Sequence, residues 1–307
     1  MWAIAFHPDG KHFWGRNLDG IRRWRTEDGE EVGRQMGMAV IAISVSRNNK
    51  WIICGTMMQG VSVWDAKLQE KTGVEVEDAA AQIDAIDIAP DSTRLATARY
   101  DNHTASVWSI TTGERLVGPL QHDGAFAGIG FSPNGERVAT TCLAGSVRIF
   151  DSRNGNQLNH IDINIRGSPG FTPLAWSDDG QRIFVASRED KVVAFDATAA
   201  SQLAEWQVLT GNGEGVRGVA LTANGRFIAT VTNISVSFLD ASTLAQIGPA
   251  ILNYDESDIW SFTLSPGSSH LAIGGSSLGK IAIRDLSNIM DLVGFYYPIT
   301  VRATLMA

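Results

Sequence analysis

The chain repeats one template seven times: an apolar strand, a polar turn such as Pro-Asp-Gly, a second strand, and a third strand that ends in Trp-Asp or a degraded copy of it. The residues that end this third strand are Arg25, Asp65, Ser109, Asp151, Asp196, Asp240 and Asp285. They follow one another at intervals of 40 to 45 residues. A four-stranded propeller blade has this period, and one blade covers too little apolar surface to be stable alone. The repeat therefore predicts an all-β, closed, seven-bladed β-propeller with four antiparallel strands per blade.

Alignment of the seven repeats on the turn residue gives columns with a physical meaning. The turn residues are Pro8, Arg47, Pro90, Pro133, Asp178, Ala223 and Pro266. The positions two and four residues earlier are apolar in every repeat, so they share one face of the first strand. The position five residues earlier is always small, as expected where seven inner strands surround a common axis. It holds Ala3, Ala42, Ala85, Gly128, Pro173, Gly218 and Ser261.

Three short stretches carry a resemblance to a known repeat family: residues 131–135 (Phe-Ser-Pro-Asn-Gly), 61–65 (Val-Ser-Val-Trp-Asp) and 111–114 (Thr-Thr-Gly-Glu). Over residues 1–297 the chain resembles the WD40 family. Its third and fourth repeats are most similar to WD40 arrays of mushroom-forming fungi, including those of NACHT-WD40 proteins. The resemblance implies a propeller whose usual role is to bind other proteins.

The buried hydrogen-bond set of this family joins a His, a Ser or Thr, an Asp and the Trp of one blade. Repeat 3 supplies Thr97, Asp101 and Trp108 but no histidine at the expected place. His122 precedes repeat 4, which offers Thr140 but neither the Trp nor the turn Asp. No repeat carries the whole set, so we expect apolar packing to hold this propeller more than polar networks do.

The repeat divides residues 1–297 into the blades of a single domain. The blade boundaries fall near 1–36, 37–79, 80–122, 123–167, 168–211, 212–255 and 256–297. Residues 298–307 have no counterpart in the repeat and are assigned to a C-terminal tail. Propellers of this family often close with an N-terminal strand, but nothing precedes Met1 here. We therefore expect the last blade to take its outer strand from residues 291–296.

Composition and charge fit a soluble monomeric domain that binds neither nucleic acid nor membrane. The chain is 44% apolar, and no apolar run approaches the roughly 18 residues of a membrane span. Its net charge is −8, from 33 acidic and 25 basic residues, whereas nucleic-acid affinity depends on Lys and Arg. No signal peptide is evident, and Cys54 and Cys142 fall in different columns. These features predict two free thiols and a cytoplasmic location.

Residues that could carry catalysis are scattered along the chain. The six histidines are spread over four repeats, with no metal-ligand spacing beside Cys or carboxylates. Residues 213–218 fit G-x-G-x-x-G, but they precede a strand instead of following one. They therefore indicate a loop between blades and not a dinucleotide site. We expect no enzyme activity, no cofactor and no metal.

The remaining candidates lie on the face that usually binds peptides in WD40 propellers. The loop before the first strand and the loop between the second and third strands emerge together on that face. The position six residues before the turn points toward it, and holds Trp2, Ile41, Asp84, Ala127, Thr172, Arg217 and Trp260. The loops add Arg16, Met57, Met58, Arg99, Tyr100, His103, Arg188 and Glu189. Trp, Tyr, Arg and Met are the residue types enriched at binding hot spots.

Ring closure makes Trp2 and Trp260 neighbours, and two interpretations of them stay open. Their column is chemically mixed, which favours a solvent-facing position and an aromatic anchor for a partner. Alternatively, the two indoles plug the mouth of the channel or pack between blades.

For the whole chain, the leading hypothesis is a non-catalytic scaffold that binds a protein or peptide on this face. The alternative is a carbohydrate-binding, lectin-like propeller. A multivalent lectin would repeat an aromatic pocket in most blades, whereas Trp stands at this position in two of seven. A fungal defence or cytotoxic protein is a third class, for which no residue argues.

Overall fold

The computed structural model describes residues 3–17, 20–36, 40–57, 59–76, 81–99, 101–163, 173–187, 190–208, 215–243, 245–252, 258–275, 281–286 and 301–302. All regular elements of these residues are β-strands, which pair antiparallel with their sequence neighbours into seven sheets. Six sheets have four strands. In the first, isolated bridges from Glu31 and Met36 take the outer position. The prediction of a seven-bladed all-β propeller is confirmed. Within the described ranges, no helix is long and apolar enough to cross a membrane.

The strands follow chain order from the inside to the outside of each blade. Blades 1 and 2 contain β1 (Ile4–Phe6), β2 (His12–Asn17), β3 (Gly20–Arg25), β4 (Val40–Val45), β5 (Trp51–Thr56), β6 (Val61–Asp65) and β7 (Glu70–Val76). Blades 3 and 4 contain β8 (Ile83–Ile88), β9 (Arg94–Arg99), β10 (Thr104–Ser109), β11 (Arg115–Gln121), β12 (Phe126–Phe131), β13 (Arg137–Cys142), β14 (Ser146–Asp151) and β15 (Gln157–Asp162). Blades 5 and 6 contain β16 (Leu174–Trp176), β17 (Arg182–Ala186), β18 (Lys191–Asp196), β19 (Gln202–Gln207), β20 (Gly218–Leu221), β21 (Phe227–Val231), β22 (Ser235–Asp240) and β23 (Gln246–Leu252). Blade 7 contains β24 (Ile259–Leu264), β25 (His270–Gly275), β26 (Ile281–Asp285) and β27 (Val301–Arg302).

The core is divided among the interfaces between neighbouring blades. Seven buried apolar clusters of described residues each join two adjacent blades. One of them joins blade 7 to blade 1 through Phe13, Trp24 and Ile281. Because each blade buries its two faces against its neighbours, the ring is closed and every blade depends on the next.

The aligned columns have the structural roles that their chemistry predicts. The apolar residues two and four positions before each turn are all buried or half-buried. The small column lies where neighbouring inner strands approach one another. A Cβ atom added at Gly128 would lie 2.7 Å from Cδ of Pro173 in the next blade. The close approach of the blades therefore explains why this column holds small residues.

The carboxylate that ends the third strand has a local structural role. In blades 2, 4, 5 and 6 its Oδ1 accepts the backbone N–H groups of the second and third following residues at 2.6 to 3.1 Å. These residues are Asp65, Asp151, Asp196 and Asp240. Such bonds hold the turn into the outer strand. The Ser242 hydroxyl, with the amides of Ser242 and Thr243, lowers the pKa of Asp240 to about 2.

Blades 3 and 4 contain several of the polar residues of the family's hydrogen-bond set. The Trp108 indole donates to Thr97 at 2.9 Å, and His122 Nε2 bonds the Thr140 hydroxyl. Asp101 pairs with Arg99 at 2.7 Å. These contacts are parts of the family's hydrogen-bond set, divided between the two blades.

The outer strand of blade 7 lies later in the chain than the repeat pattern predicts. Its outer strand is β27, which pairs Val301 with Ile283 and Arg302 with Ala282. This strand falls within residues 298–307, which the repeat pattern assigned to a tail. The expected strand at 291–296 lies outside the described residues. A two-residue strand carries too little pattern to be recognised in sequence.

Both cysteines are free thiols, as predicted. Cys54 lies in β5 and Cys142 in β13, and both are buried. Burial raises the pKa of Cys54 well above its ordinary value, so its thiol stays protonated.

Candidate binding site

The inner strands enclose a central channel. We call the end of the ring that carries the turns between first and second strands the lower face, and the opposite end the upper face. A cavity of about 340 Å³ lies in the channel, between the inner strands of blades 1, 2, 3, 4 and 7. The small column contributes Ala3, Ala42, Ala85, Gly128 and Ser261 to its wall. Short side chains at these positions leave the axis of the ring open.

A second cavity, of about 480 Å³, adjoins the first toward the lower face. Its wall includes the aromatic rings of Phe131 and Trp176 and the charged residues Arg47, Asp87 and Asp178. Asp87 lines both cavities. This part of the channel can accommodate a group with both apolar and charged parts.

Asp87 is a channel residue that the sequence analysis missed. Its Oδ2 accepts the N–H of Phe131 from blade 4 at 2.7 Å, and its Oδ1 accepts the N–H of Ile88 at 2.9 Å. Burial raises the pKa of Asp87 to about 6, although these two N–H groups and Arg47 act in the opposite direction. A signal was available, because the other blades have uncharged residues at this aligned position. They are Ala5, Ser44, Gly130, Ala175, Ala220 and Thr263.

The substitution Asp87→Asn is expected to reduce the pH dependence of stability between pH 4 and pH 6. The carboxyl has a pKa near 3.8 when unfolded and about 6 when folded, so the folded state holds an extra proton in this window. The parent therefore loses stability as pH rises through the window. The amide of the variant cannot titrate, so the difference in Tm, variant minus parent, should increase from pH 4 to pH 7. In the variant, one of the two backbone N–H groups that Asp87 accepts loses its acceptor at every pH, and this changes the Tm of the variant by an amount that does not depend on pH. An equal difference at pH 4 and pH 7 would contradict the prediction.

The proposed contact residues among these candidates are the eleven residues Trp2, Arg16, Met57, Met58, Asp84, Arg99, Tyr100, His103, Arg188, Arg217 and Trp260, of which the structure describes seven. These seven are Arg16, Met57, Asp84, Arg99, His103, Arg217 and Trp260, and they lie on blades 1, 2, 3, 6 and 7. Trp2, Met58, Tyr100 and Arg188 lie outside the described residues. The adjacency of Trp2 and Trp260 therefore stays a prediction.

The position six residues before the turn is not uniformly solvent-facing, and that expectation was wrong for three blades. Ile41, Asp84 and Ala127 are 2, 3 and 4% exposed. The pairing of the first two strands is irregular at this residue in blades 2, 3, 4 and 7, as in a β-bulge. A bulge breaks the period-2 alternation, so two consecutive residues can turn inward. Trp260 lies at such a bulge and is half-buried. Its indole N–H is buried, with no hydrogen-bond partner among the described residues.

Several of the other candidates lie on the neighbouring blades 2 and 3. The turn between β5 and β6 is joined to the entrance of blade 3, because the Gly60 N–H donates to the Ala81 carbonyl at 3.1 Å. Met57 lies in this turn with 54% of its surface exposed. In blade 3, Asp84 is buried, accepts the Gln82 amide at 2.8 Å and lines the channel cavity.

The hairpin between β9 and β10 supplies the charged part of this region. The Arg99 guanidinium donates to both carboxylate oxygens of Asp101, at 3.0 and 2.7 Å. His103 follows with a φ of 55°, and its carbonyl accepts the N–H of His122 at 3.0 Å. We call Met57, Arg99, Asp101 and His103 the blade 2–3 surface. On the upper face, this surface presents the exposed thioether of Met57, the ion pair between Arg99 and Asp101, and the imidazole of His103.

Comparison with known proteins agrees with the architecture. Residues 115–151 match the family model described as WD domain, G-beta repeat. This span runs from the start of β11 to the end of β14. The matched repeat thus joins the outer strand of blade 3 to the first three strands of blade 4.

Similar curated proteins come from plants and a slime mould. The guanine nucleotide-binding protein subunit beta of Nicotiana plumbaginifolia is 26% identical over 157 residues, which are 49% of this chain and 41% of that protein. The DDB1- and CUL4-associated factor 7 homolog of Dictyostelium discoideum is 32% identical over 111 residues, or 34% and 33% of the two chains. The autophagy-related protein 16 of Arabidopsis thaliana is 24% identical over 198 residues, or 63% and 38%.

The matches cover 41% or less of the length of these relatives. The resemblance to arrays of mushroom-forming fungi finds no support among them and stays a prediction. The fold and the family match are consistent with each other. The chain is a seven-bladed β-propeller in which residues 115–151 match a WD40 repeat.

Proposed function

We propose that this propeller is a non-catalytic scaffold that binds a protein or peptide on its upper face through the blade 2–3 surface. The observation that carries the proposal is Met57, a large apolar side chain that is 54% exposed in the turn between β5 and β6 of blade 2, the blade next to the charged hairpin of blade 3. Methionine and arginine are enriched at protein interfaces. The names of two similar proteins, a "subunit" and an "associated factor", describe members of protein assemblies, which supports the same class of function.

The surface suits a segment that presents an apolar side chain next to charged groups. The thioether of Met57 is flexible and adapts to the shape of a partner. The Arg99–Asp101 pair is already formed, so its side chains lose little further freedom on binding. The other members of the proposed contact face are Trp2, Arg16, Met58, Asp84, Tyr100, Arg188, Arg217 and Trp260. Two unpaired cysteines favour a reducing, cytoplasmic setting for this scaffold.

The test compares Met57→Asp with Leu158→Asp in quantitative affinity capture from the source cells. Leu158 is a matched control, because it is 46% exposed but lies on β15, the outer strand of blade 4. A partner of the blade 2–3 surface should bind Met57→Asp at least about tenfold more weakly, which corresponds to about 1.4 kcal/mol. It should bind Leu158→Asp as it binds the parent.

Retention by Met57→Asp together with loss by Leu158→Asp would place the contact on the circumference and contradict the proposed surface. Recovery of glycans on an array, with no protein retained by the parent, would favour the carbohydrate-binding alternative.

A further inference from the structure

The turn between β1 and β2 brings together two imidazoles and a carboxylate on the lower face. His7 Nδ1 lies 3.1 Å from Asp9 Oδ2, and His12 Nδ1 lies 2.9 Å from the same oxygen. The three atoms all fall within 4.8 Å of one another. Each side chain is partly buried, with 14 to 30% of its surface exposed. Two nitrogens and one oxygen thus face a common point at the edge of blade 1.

The backbone of the hairpin creates this convergence. The His7 N–H donates to the His12 carbonyl at 2.9 Å, which closes the turn, and Gly10 adopts a φ of 66° that favours glycine. Asp9 Oδ1 accepts the N–H groups of Lys11 and His12, at 2.8 and 3.1 Å. Those two bonds leave Oδ2 directed at the imidazoles. Backbone donors therefore orient the carboxylate, as the hydrogen-bond partners of ligands do in metal sites.

The backbone of the hairpin also contacts His7. The Asp9 N–H makes a long contact with His7 Nδ1, at 3.4 Å, which uses this nitrogen as an acceptor. Zinc ligation requires a neutral imidazole and an ionised carboxylate.

The other blades show that the turn itself does not need these histidines. At the position of His7, five blades carry a hydroxyl: Ser46, Ser132, Ser177, Thr222 and Ser265. The hydroxyl accepts the N–H of the residue on the far side of the turn, as Ser132 does from Arg137 at 3.0 Å. At the position of His12, three blades carry arginine: Arg94, Arg137 and Arg182. The paired imidazoles are thus an addition to blade 1, beyond the common chemistry of the turn.

Against the expectation from the sequence that the chain binds no metal, we propose that His7, Asp9 and His12 form a zinc site, with His7 Nδ1, His12 Nδ1 and Asp9 Oδ2 as ligands and water in the fourth position. Tetrahedral Zn²⁺ with such ligands places neighbouring donor atoms about 3.4 Å apart. The two separations from Asp9 Oδ2, 2.9 and 3.1 Å, are a few tenths of an ångström below this value, and the two nitrogens lie within 4.8 Å of each other. Imidazole with carboxylate selects zinc over Mg²⁺ and Ca²⁺, which prefer oxygen ligands alone. The ion would clamp the lower turn of blade 1.

The test is isothermal titration of zinc chloride into untagged full-length protein that has been freed of metal with a chelator. The parent should bind one equivalent of zinc and should not respond to magnesium chloride. His7→Ser and His12→Arg install residues that other blades carry at these positions, so both variants are expected to fold. Each should weaken zinc binding by more than about 100-fold, since changes in the hydrogen-bond partners of ligands alone cost about 10–100-fold. Zinc should raise the Tm of the parent and leave that of the variants unchanged.

His270→Arg provides the matched control. His270 occupies in blade 7 the position of His12, but its turn has Gly267 in place of Asp9, and its Nδ1 lies 2.9 Å from the Ser269 hydroxyl. This variant should bind zinc as the parent does. The proposal is overturned if the parent binds no stoichiometric zinc, if His7→Ser or His12→Arg retains the parent's affinity, or if His270→Arg weakens binding as much as His12→Arg.

Discussion

Replacing Trp14 by alanine is expected to lower the free energy of unfolding by about 3–5 kcal/mol, as truncation of a fully buried tryptophan does. Trp14 lies in β2 and has no exposed surface. Its indole belongs to the cluster between blades 1 and 2, with Met36, Ile52 and Trp64. Alanine would leave a cavity at this interface, and the strands on either side can close it only in part. Urea and thermal unfolding followed by circular dichroism measure the loss.

Two further variants separate packing from other effects at this site. Trp14→Phe should lose less, because it keeps an aromatic ring and removes an indole N–H that has no partner among the described residues. Leu116→Ala, on the outer strand of blade 3 at 49% exposure, should stay within about 0.5 kcal/mol of the parent. A loss below about 1 kcal/mol for Trp14→Ala would show that this interface does not hold the ring.

Phe13→Ala is expected to cost a similar amount, about 3–5 kcal/mol, and, in addition, to loosen the closure of the ring. Successive residues of a strand point to opposite faces, so Phe13 faces blade 7 while Trp14 faces blade 2. The Phe13 ring stacks on Trp24 with centroids 5.4 Å apart and planes inclined by 18°. It also contacts Phe6 edge-on at 6.0 Å. The substitution therefore removes a large buried ring from the cluster between blades 7 and 1.

Hydrogen exchange distinguishes a loosened closure from a general loss of stability. In Phe13→Ala the amides of β1, β2, β25 and β26 should exchange faster than those of blades 3 to 5, because local opening begins where the fewest contacts remain. Phe13→Leu should restore most of the stability and the exchange pattern. Uniform acceleration in all blades would mean that the interface between blades 7 and 1 has no special part in closure.

The repeat predicts the architecture because its signal is redundant. Seven copies define the strands, the apolar faces and the small column, and one turn-forming carboxylate such as Asp151 suffices to mark the end of a third strand. The same alignment could have identified Asp87, since a charged residue stands in a column of small uncharged ones. Other features carry no repeated pattern. One such feature is the pairing of the two-residue strand β27. Another is the burial of Ile41 and Asp84, which lie where the pairing of the first two strands is irregular.

The repeat pattern alone predicts the number of blades, the strand that lines the axis and the residues available to each face. It can do so because periodicity and residue size depend only on positions along the chain. Which groups meet across blades depends on the three-dimensional arrangement of the strands. The bond from the Phe131 N–H to Asp87 depends on the distance between two strands that are 44 residues apart in sequence. The meeting of His7, Asp9 and His12 depends on how the hairpin folds back on itself, since hydrogen bonds and metal ligands need distances and directions that a linear pattern does not contain.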